Sequence, residues 1–346
     1  MKNTGGISLG DMLKEKGQLS DDIINTSYIS DLKVNDVKDV EGKVLSKRLQ
    51  TTKDGKEFLL FTLGDKTGTL RAIDWFNASK NNEKINIGDI IRLRGKIVVF
   101  DSRLQLNVDK DSEIKILKED EIDPEKFIKS SSKDVEYLKN ELYAIIDSIK
   151  DIDIKNLLTY MFIKDKKFIK QFFDSPAAIS VHHAYKHGLL EHTVDVAKLC
   201  ISISENYIDI VQKDILIAGA LLHDIGKIRE YKITPAGIEK TDEGELIGHI
   251  ALGTNMVIEA AKKVNNMPSE KLEQILHMIV SHHGELEWGS PIVPKTIEAF
   301  ILHFADNLSS KVEQVRNHIE ESNNKDWTDY NKNLGRKIKI TKMEDK

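Results

Sequence analysis

The chain has 346 residues, enough for two domains that each bury a core. Its 51 lysines and arginines against 56 aspartates and glutamates leave a formal charge of −5, which excludes a polycation that grips nucleic acid by bulk charge. A single cysteine, Cys200, excludes an internal disulfide framework or a thiolate-rich zinc cluster and fits a reducing compartment.

Residues 1–30, opening MKNTGGISLGDMLKEKG, are thin in apolar content and lack the apolar core of a signal peptide. No later run approaches the roughly 20 apolar residues of a spanning helix. An N-terminal extension on a cytoplasmic protein without a membrane partner is expected.

From about Val37 to Val108 the apolar residues alternate, or come in short β-branched and aromatic runs, between the turn signals KDGK, DKTGT and NIGD. Strands are expected at EGKVLSKRLQTT, EFLLFTLGD, TLRAIDWF, DIIRLRGKIVV and SRLQLNV, with NASKNNEK inserted before the fourth. Five strands broken there predict an all-β OB-fold barrel over residues 31–115. Between residues 31 and 110 there are 16 basic and 12 acidic residues, a local excess of +4. Phe58, Arg71, Trp75, Arg92, Arg94 and Arg103 have the stacking and phosphate-tracking chemistry of single-strand binders, although each also suits a barrel core or solvated face.

An acidic linker, residues 116–132, precedes a change of period to three or four residues. Residues 133–320 are therefore expected to form an all-α bundle, and 321–346 a polar, poorly packed tail.

All 11 histidines fall between residues 182 and 318, so the two halves carry different chemistry. In LLHDIGK, Asp214 is placed to cap an apolar helix that ends in His223 and Asp224, groups that are costly in a core without partners. Gly226 is expected to turn the chain away. Lys227 then brings a cation either to a phosphate or to the helix C-terminus. His192 shares a helical stripe with Val196, Leu199 and Ile203, and Asp306 shares one with Ala299 and Leu302, so both should face inward. His249 and the adjacent His282 and His283 suit a second ion. His277 and His318 are expected to face solvent; His182, His183, His187 and His303 are left open between structure and substrate contact.

Imidazole and carboxylate without thiolate favour Mn, Fe, Co or Zn over Mg or Ca. Two such ions roughly 3.5–4 Å apart can hold both oxygens of an in-line phosphoryl displacement. In that reading Asp224 bridges and Lys227 steadies the developing charge.

With His192, His223, Asp224 and Asp306 in the order H…HD…D, the helical domain resembles the HD phosphohydrolase superfamily. His249 and His282–His283 resemble the extra ligands of its two-metal branch, His282 being slightly favoured over His283. The order of an OB domain, a linker and then HHAYKHGLLEHT, LLHDIGKIREY, GHIALG and SHHGELEWGSPIVPKTIEA is similar to the YhaM-type 3′→5′ exoribonucleases of bacteria. The resemblance implies a manganese-dependent enzyme releasing 5′-mononucleotides from the 3′ end of single-stranded RNA, with tolerance for single-stranded DNA and the oligomeric state left open. The alternatives are an HD enzyme acting on a nucleotide or cyclic dinucleotide, and a non-catalytic nucleic-acid adaptor.

Overall fold

The computed structural model describes residues 27–341 except 102, 129, 132, 180–182, 235–236, 265–266, 321, 323 and 325. The chain divides into two compact units, with the break after residue 129.

In the first unit, β1 (Val37–Thr51), β2 (Glu57–Asp65), β3 (Gly68–Asp74), β4 (Ile90–Phe100) and β5 (Arg103–Val108) form the barrel, with α1 (Ala78–Lys84) between β3 and β4. The hydrogen-bonded order is β1-β2-β3-β5-β4, with β6 (Lys115–Ile116) beside β4. Antiparallel pairing of β1 with β4 and parallel pairing of β3 with β5 close the ring. This is the OB topology. A register shift between Val44 and Ser46 lets the long β1 pair with β4 along its first half and β2 along its second. Leu59, Phe61 and Leu63 of β2 and Ile91, Leu93 and Ile97 of β4 point inward and are buried, each stabilising by roughly 1.5–3 kcal/mol.

The expected linker is packed in its first part. Leu117 and Ile122 cluster with Ile90, and buried Lys126 reaches Glu41 at 3.2 Å. Burial of its stem and ammonium pushes the Lys126 pKa down, against the pull of Glu41.

In the second unit, α2 (Val135–Ser148), α3 (Ile152–Thr159) and α4 (Lys166–Asp174) are each capped by an aspartate, Asp134, Asp151 and Asp165, whose carboxylate accepts backbone N–H groups of the first turn. Then follow α5 (Gly188–Ser204), α6 (Lys213–Leu222), the short α7 (Lys227–Glu230), α8 (Asp242–Ile247), α9 (His249–Ala261), α10 (Ser269–Ser281) and α11 (Ile297–Glu320). Every residue of α6 from Ile215 to Leu222 is buried, as an all-apolar sequence requires, with α5, α10 and α11 packed around it. Asp214 does not cap α6. The carboxylate accepts from the backbone N–H groups of Lys150 and Asp151 at 2.9 and 2.7 Å, tying the α2–α3 corner to the central helix.

Two departures from an all-helical bundle with a loose tail occur. Tyr231–Thr234 (β7) and Gly237–Lys240 (β8) pair as a small hairpin. In the tail, Trp327 bridges to Lys339, Asn331 to Arg336, and Thr328 is buried. Among the described residues no helix is long and apolar enough to cross a membrane.

Candidate metal centre

Five helical segments deliver the candidate ligands. His192 lies on α5, and His223 and Asp224 occupy the turn after α6. His249 begins α9, His282 and His283 follow α10, and Asp306 is on α11. His192, His223, Asp224 and His282 are at most 2% exposed.

Asp224 divides its two oxygens. Oδ2 lies 3.5 Å from His192 Nε2 and 3.3 Å from His223 Nε2, while Oδ1 lies 3.6 Å from both His249 Nε2 and His282 Nε2. His192 Nε2 also stands 3.1 Å from Asp306 Oδ1. The donor atoms of His192, His223 and Asp224, and separately those of His249, His282 and His283, lie within 4.8 Å of one another. Asp224 Oδ1 and His249 Nε2 are buried with no hydrogen-bond partner among the described residues, which is costly unless a cation completes them. The donor set therefore fits two divalent ions, with Asp224 between them.

The rings are aimed by their far nitrogens. His223 Nδ1 bonds the Ala220 carbonyl at 2.9 Å, His282 Nδ1 that of Ile279 at 2.7 Å, and His283 Nδ1 that of Trp288 at 3.0 Å, leaving Nε2 of each ring as its candidate ligand atom. His249 Nδ1 is 2.7 Å from the Glu230 carboxylate. Glu230 was missed by sequence reasoning; the signal was an acid on the short, half-apolar segment KIREY.

Electrostatics favour cation binding. Burial opposes ionisation of Asp224, but Lys227 and His223 hold its pKa well below the carboxylate range; His192 does the same for half-buried Asp306. Burial keeps the His282 pKa low, and burial together with the neighbouring His282 pushes His283 down to about 4, so both imidazoles are neutral at pH 7. His223 goes the other way: burial would lower its pKa, but the Asp224 carboxylate beside it raises it.

Lys227 Nζ sits 2.5 Å from Asp224 Oδ2 and lines a 230 Å³ pocket with Asp224, His282, His283 and Asp306. Gly226 has an ordinary φ of −63°, so it is not needed for the turn. It allows close approach: a Cβ there would stand 1.9 Å from the His249 carbonyl oxygen.

The other histidines separate by their partners. His303, buried, donates Nδ1 to the His282 carbonyl at 2.9 Å and lines the same pocket. His183, also buried, bonds Tyr185 OH at 2.8 Å, with its ring 5.4 Å from that of His192. His187 bonds the Phe173 carbonyl at 2.6 Å, a structural tie. His277 Nε2 accepts from the Lys295 N–H at 2.9 Å, and His318 Nε2 bonds the Asp329 carbonyl at 2.9 Å. Neither faces only water. His182 lies outside the described residues.

On the barrel, a groove of about 810 Å³ is lined by Lys47, Arg48, Thr62, Arg71, Phe100 and Arg103, among others. The Arg71 guanidinium lies 5.2 Å over Phe100. Phe58 and Trp75 pack against each other, ring centroids 4.6 Å apart and planes tilted by 33°, and do not line the groove. Arg92 and Arg94 do not line it either. Arg92 is paired to buried Glu41 at 2.6 Å and Arg94 to Asp39 at 3.2 Å across the β1–β4 ladder. Arg48 was not singled out from sequence, since only barrel closure places it beside Arg71 and Arg103.

Residues 189–311 match the family model described as HD domain, and residues 39–116 the one described as OB-fold nucleic acid binding domain. The 3′-5′ exoribonuclease YhaM of Geobacillus sp. (strain WCH70) is 32% identical over 270 residues, covering 78% of this chain and 80% of that protein. The YhaM of Shouchella clausii (strain KSM-K16) is 31% identical over 285 residues, covering 81% and 86%. Among solved structures, the second OB-fold domain of replication protein A from Methanococcus maripaludis aligns at 27% identity over 27% of this chain and 94% of its own, with a TM-score of 0.22.

Proposed function

This chain belongs to the family of the 3′-5′ exoribonuclease YhaM, and we propose that its His/Asp centre trims single-stranded RNA from the 3′ end, releasing 5′-mononucleotides and tolerating single-stranded DNA. The observation that carries the reading is the division of Asp224, one oxygen toward His192 and His223 and the other toward His249 and His282. His192, His223, Asp224 and Asp306 would hold one ion; Asp224, His249, His282 and His283 would hold the second. The thiolate-free donor set suits manganese, iron, cobalt or zinc alike, and the resemblance to the exoribonuclease family is what favours manganese among them. Such ions supply a nucleophilic hydroxide at neutral pH and neutralise charge developing on the phosphoryl oxygens.

The chain's own groups do the rest. Glu230 fixes the His249 ring, and the Ala220 and Ile279 carbonyls fix His223 and His282. Lys227 holds a buried ammonium at the wall of the pocket, 2.5 Å from Asp224 Oδ2, where a phosphate entering the pocket would come within its reach. In the barrel, Arg48, Arg71 and Arg103 follow the strand's phosphates, with Phe100 as an aromatic neighbour.

The test is digestion of 5′-end-labelled single-stranded RNA with manganese or with chelator. A ladder of shortening products is expected with manganese alone, and Asp224→Ala should abolish it while leaving RNA binding by the barrel intact. Trimming by purified Asp224→Ala at the wild-type rate would refute the assignment. Hydrolysis confined to mononucleotides or cyclic dinucleotides would replace RNA as the substrate.

A further inference from the structure

Trp288 is 57% exposed, yet it stands on a loop tied by both backbone and side-chain hydrogen bonds. It ends a 3-10 turn, Leu286–Trp288, closed by Trp288 N–H to the Glu285 carbonyl at 3.1 Å and by Gly289 N–H to the Leu286 carbonyl at 3.0 Å. Gly289 takes φ +83°, a left-handed stop that suits glycine. Buried Ser290 then anchors the loop, its hydroxyl bonded to the Val280 and Ile292 carbonyls at 3.2 and 2.8 Å. A flexible surface indole would need no such fixing.

The indole lines the same 230 Å³ pocket as Asp224, Lys227, His282 and Asp306. Behind it lies the His303 ring, centroids 5.8 Å apart, itself pinned to the His282 carbonyl. The pocket is smaller than the roughly 300–1,000 Å³ of drug-sized ligand sites, so it takes the end of a strand and not a paired or folded segment. A rigid, half-open aromatic face beside a phosphoryl-binding centre has the chemistry to stack a nucleobase, and stacking tolerates every base because each has a π-face.

We propose that Trp288 is the stacking platform for the base of the 3′-terminal nucleotide, seating it so that its own phosphodiester lies over Asp224. The proposal rests on the exonuclease reading of the same centre and adds to it the group that recognises the strand end. It makes Trp288 a substrate-binding residue with two connections to the centre: the indole holds the base, and the backbone carbonyl aims His283.

The experiment compares wild type, Trp288→Phe and Trp288→Ala on two single-stranded RNAs, identical except that one ends in an abasic ribose phosphate at the 3′ position. Removal of the first nucleotide is timed with manganese present. From the usual strength of base–aromatic stacking, Trp288→Ala should lose roughly 5- to 100-fold in kcat/KM on the intact RNA, with Trp288→Phe close to wild type. On the abasic RNA all three should react alike, wild type having already lost the stack. Equal losses by Trp288→Ala on both RNAs would overturn the proposal and make the residue a support for His283 or a protein-docking surface. If wild type trims neither RNA, the exonuclease reading falls separately. Stacking is then read in a Trp75→Phe/Trp327→Phe background, where adenosine 5′-monophosphate should quench the remaining indole and ribose 5-phosphate should not; no difference between them overturns the proposal.

Discussion

Replacing Gly226 by alanine puts a single methyl between the turn that carries Asp224 and the start of α9. The backbone there is α-helical, so alanine would on conformational grounds alone stabilise by roughly 0.4–1 kcal/mol through the unfolded chain. The clash decides otherwise. The new carbon would meet the His249 carbonyl oxygen at 1.9 Å and the Gly253 nitrogen at 2.6 Å, both backbone atoms that cannot rotate aside. Reaching an ordinary contact near 3.4 Å requires α9 to retreat by about 1.5 Å, carrying His249 away from Asp224 Oδ1. Overpacking of this kind costs roughly 1–3 kcal/mol, which for a unit of this size lowers Tm by roughly 3–10 °C. Displacing a ligand by an ångström or more costs on the order of 100-fold in rate. Thermal unfolding, metal content by elemental analysis and RNA trimming test it together: one ion should remain tight and the other weaken. A Gly226→Ala protein with unchanged Tm and full activity would show that α9 does not depend on this approach.

Arg71→Ala should weaken single-stranded RNA binding and reduce the slope of log affinity against log salt by about 1, whereas Arg94→Ala, paired to Asp39 and outside the groove, should leave both nearly unchanged in a titration at several salt concentrations. Equal effects would move the strand off the groove. Asp151→Ala removes the cap of α3 and should cost roughly 1–2 kcal/mol at neutral pH in denaturant unfolding. Partial burial opposes the ionised Asp151, but Lys271 and the N–H groups of Ile154 and Asp153 win and hold its pKa below the ordinary value. The stabilisation is therefore complete above the unfolded value of about 3.9 and disappears as pH falls through the lower folded value, so the gap between wild type and variant should close only in acid. A gap independent of pH would mean that the loss is helix propensity alone. Cys200 is fully buried, and burial, with Asp306 nearby, raises its pKa; a disulfide reagent should label it only after unfolding, and rapid labelling of the native protein would contradict the packing of α5.

What the sequence revealed depended on how local the physics was. The barrel strands were legible because alternation is written into each strand, and NASKNNEK, too polar for a strand, became α1. The convergence of the candidate metal residues was legible because a carboxylate or imidazole on an apolar helix face demands a partner, and the structure brings these side chains together. Arg92 looked like a phosphate contact only because Glu41, its partner, is brought opposite by the register of two strands about fifty residues apart. Asp214 looked like a cap because nothing local shows that the Lys150 and Asp151 amides arrive to claim it. The β7–β8 hairpin escaped notice because four-residue strands carry too little alternation to stand out from helical sequence.

The spread of the ligands along the chain has a consequence for biosynthesis. The barrel's last strand ends at Ile116, whereas the ligands run from residue 192 to residue 306. As the polypeptide leaves the ribosome, the OB barrel can close before any of the candidate ligands has been made, and the candidate centre stays incomplete until α11 docks. On the proposed function, a nascent chain would bind nucleic acid well before it could cut it.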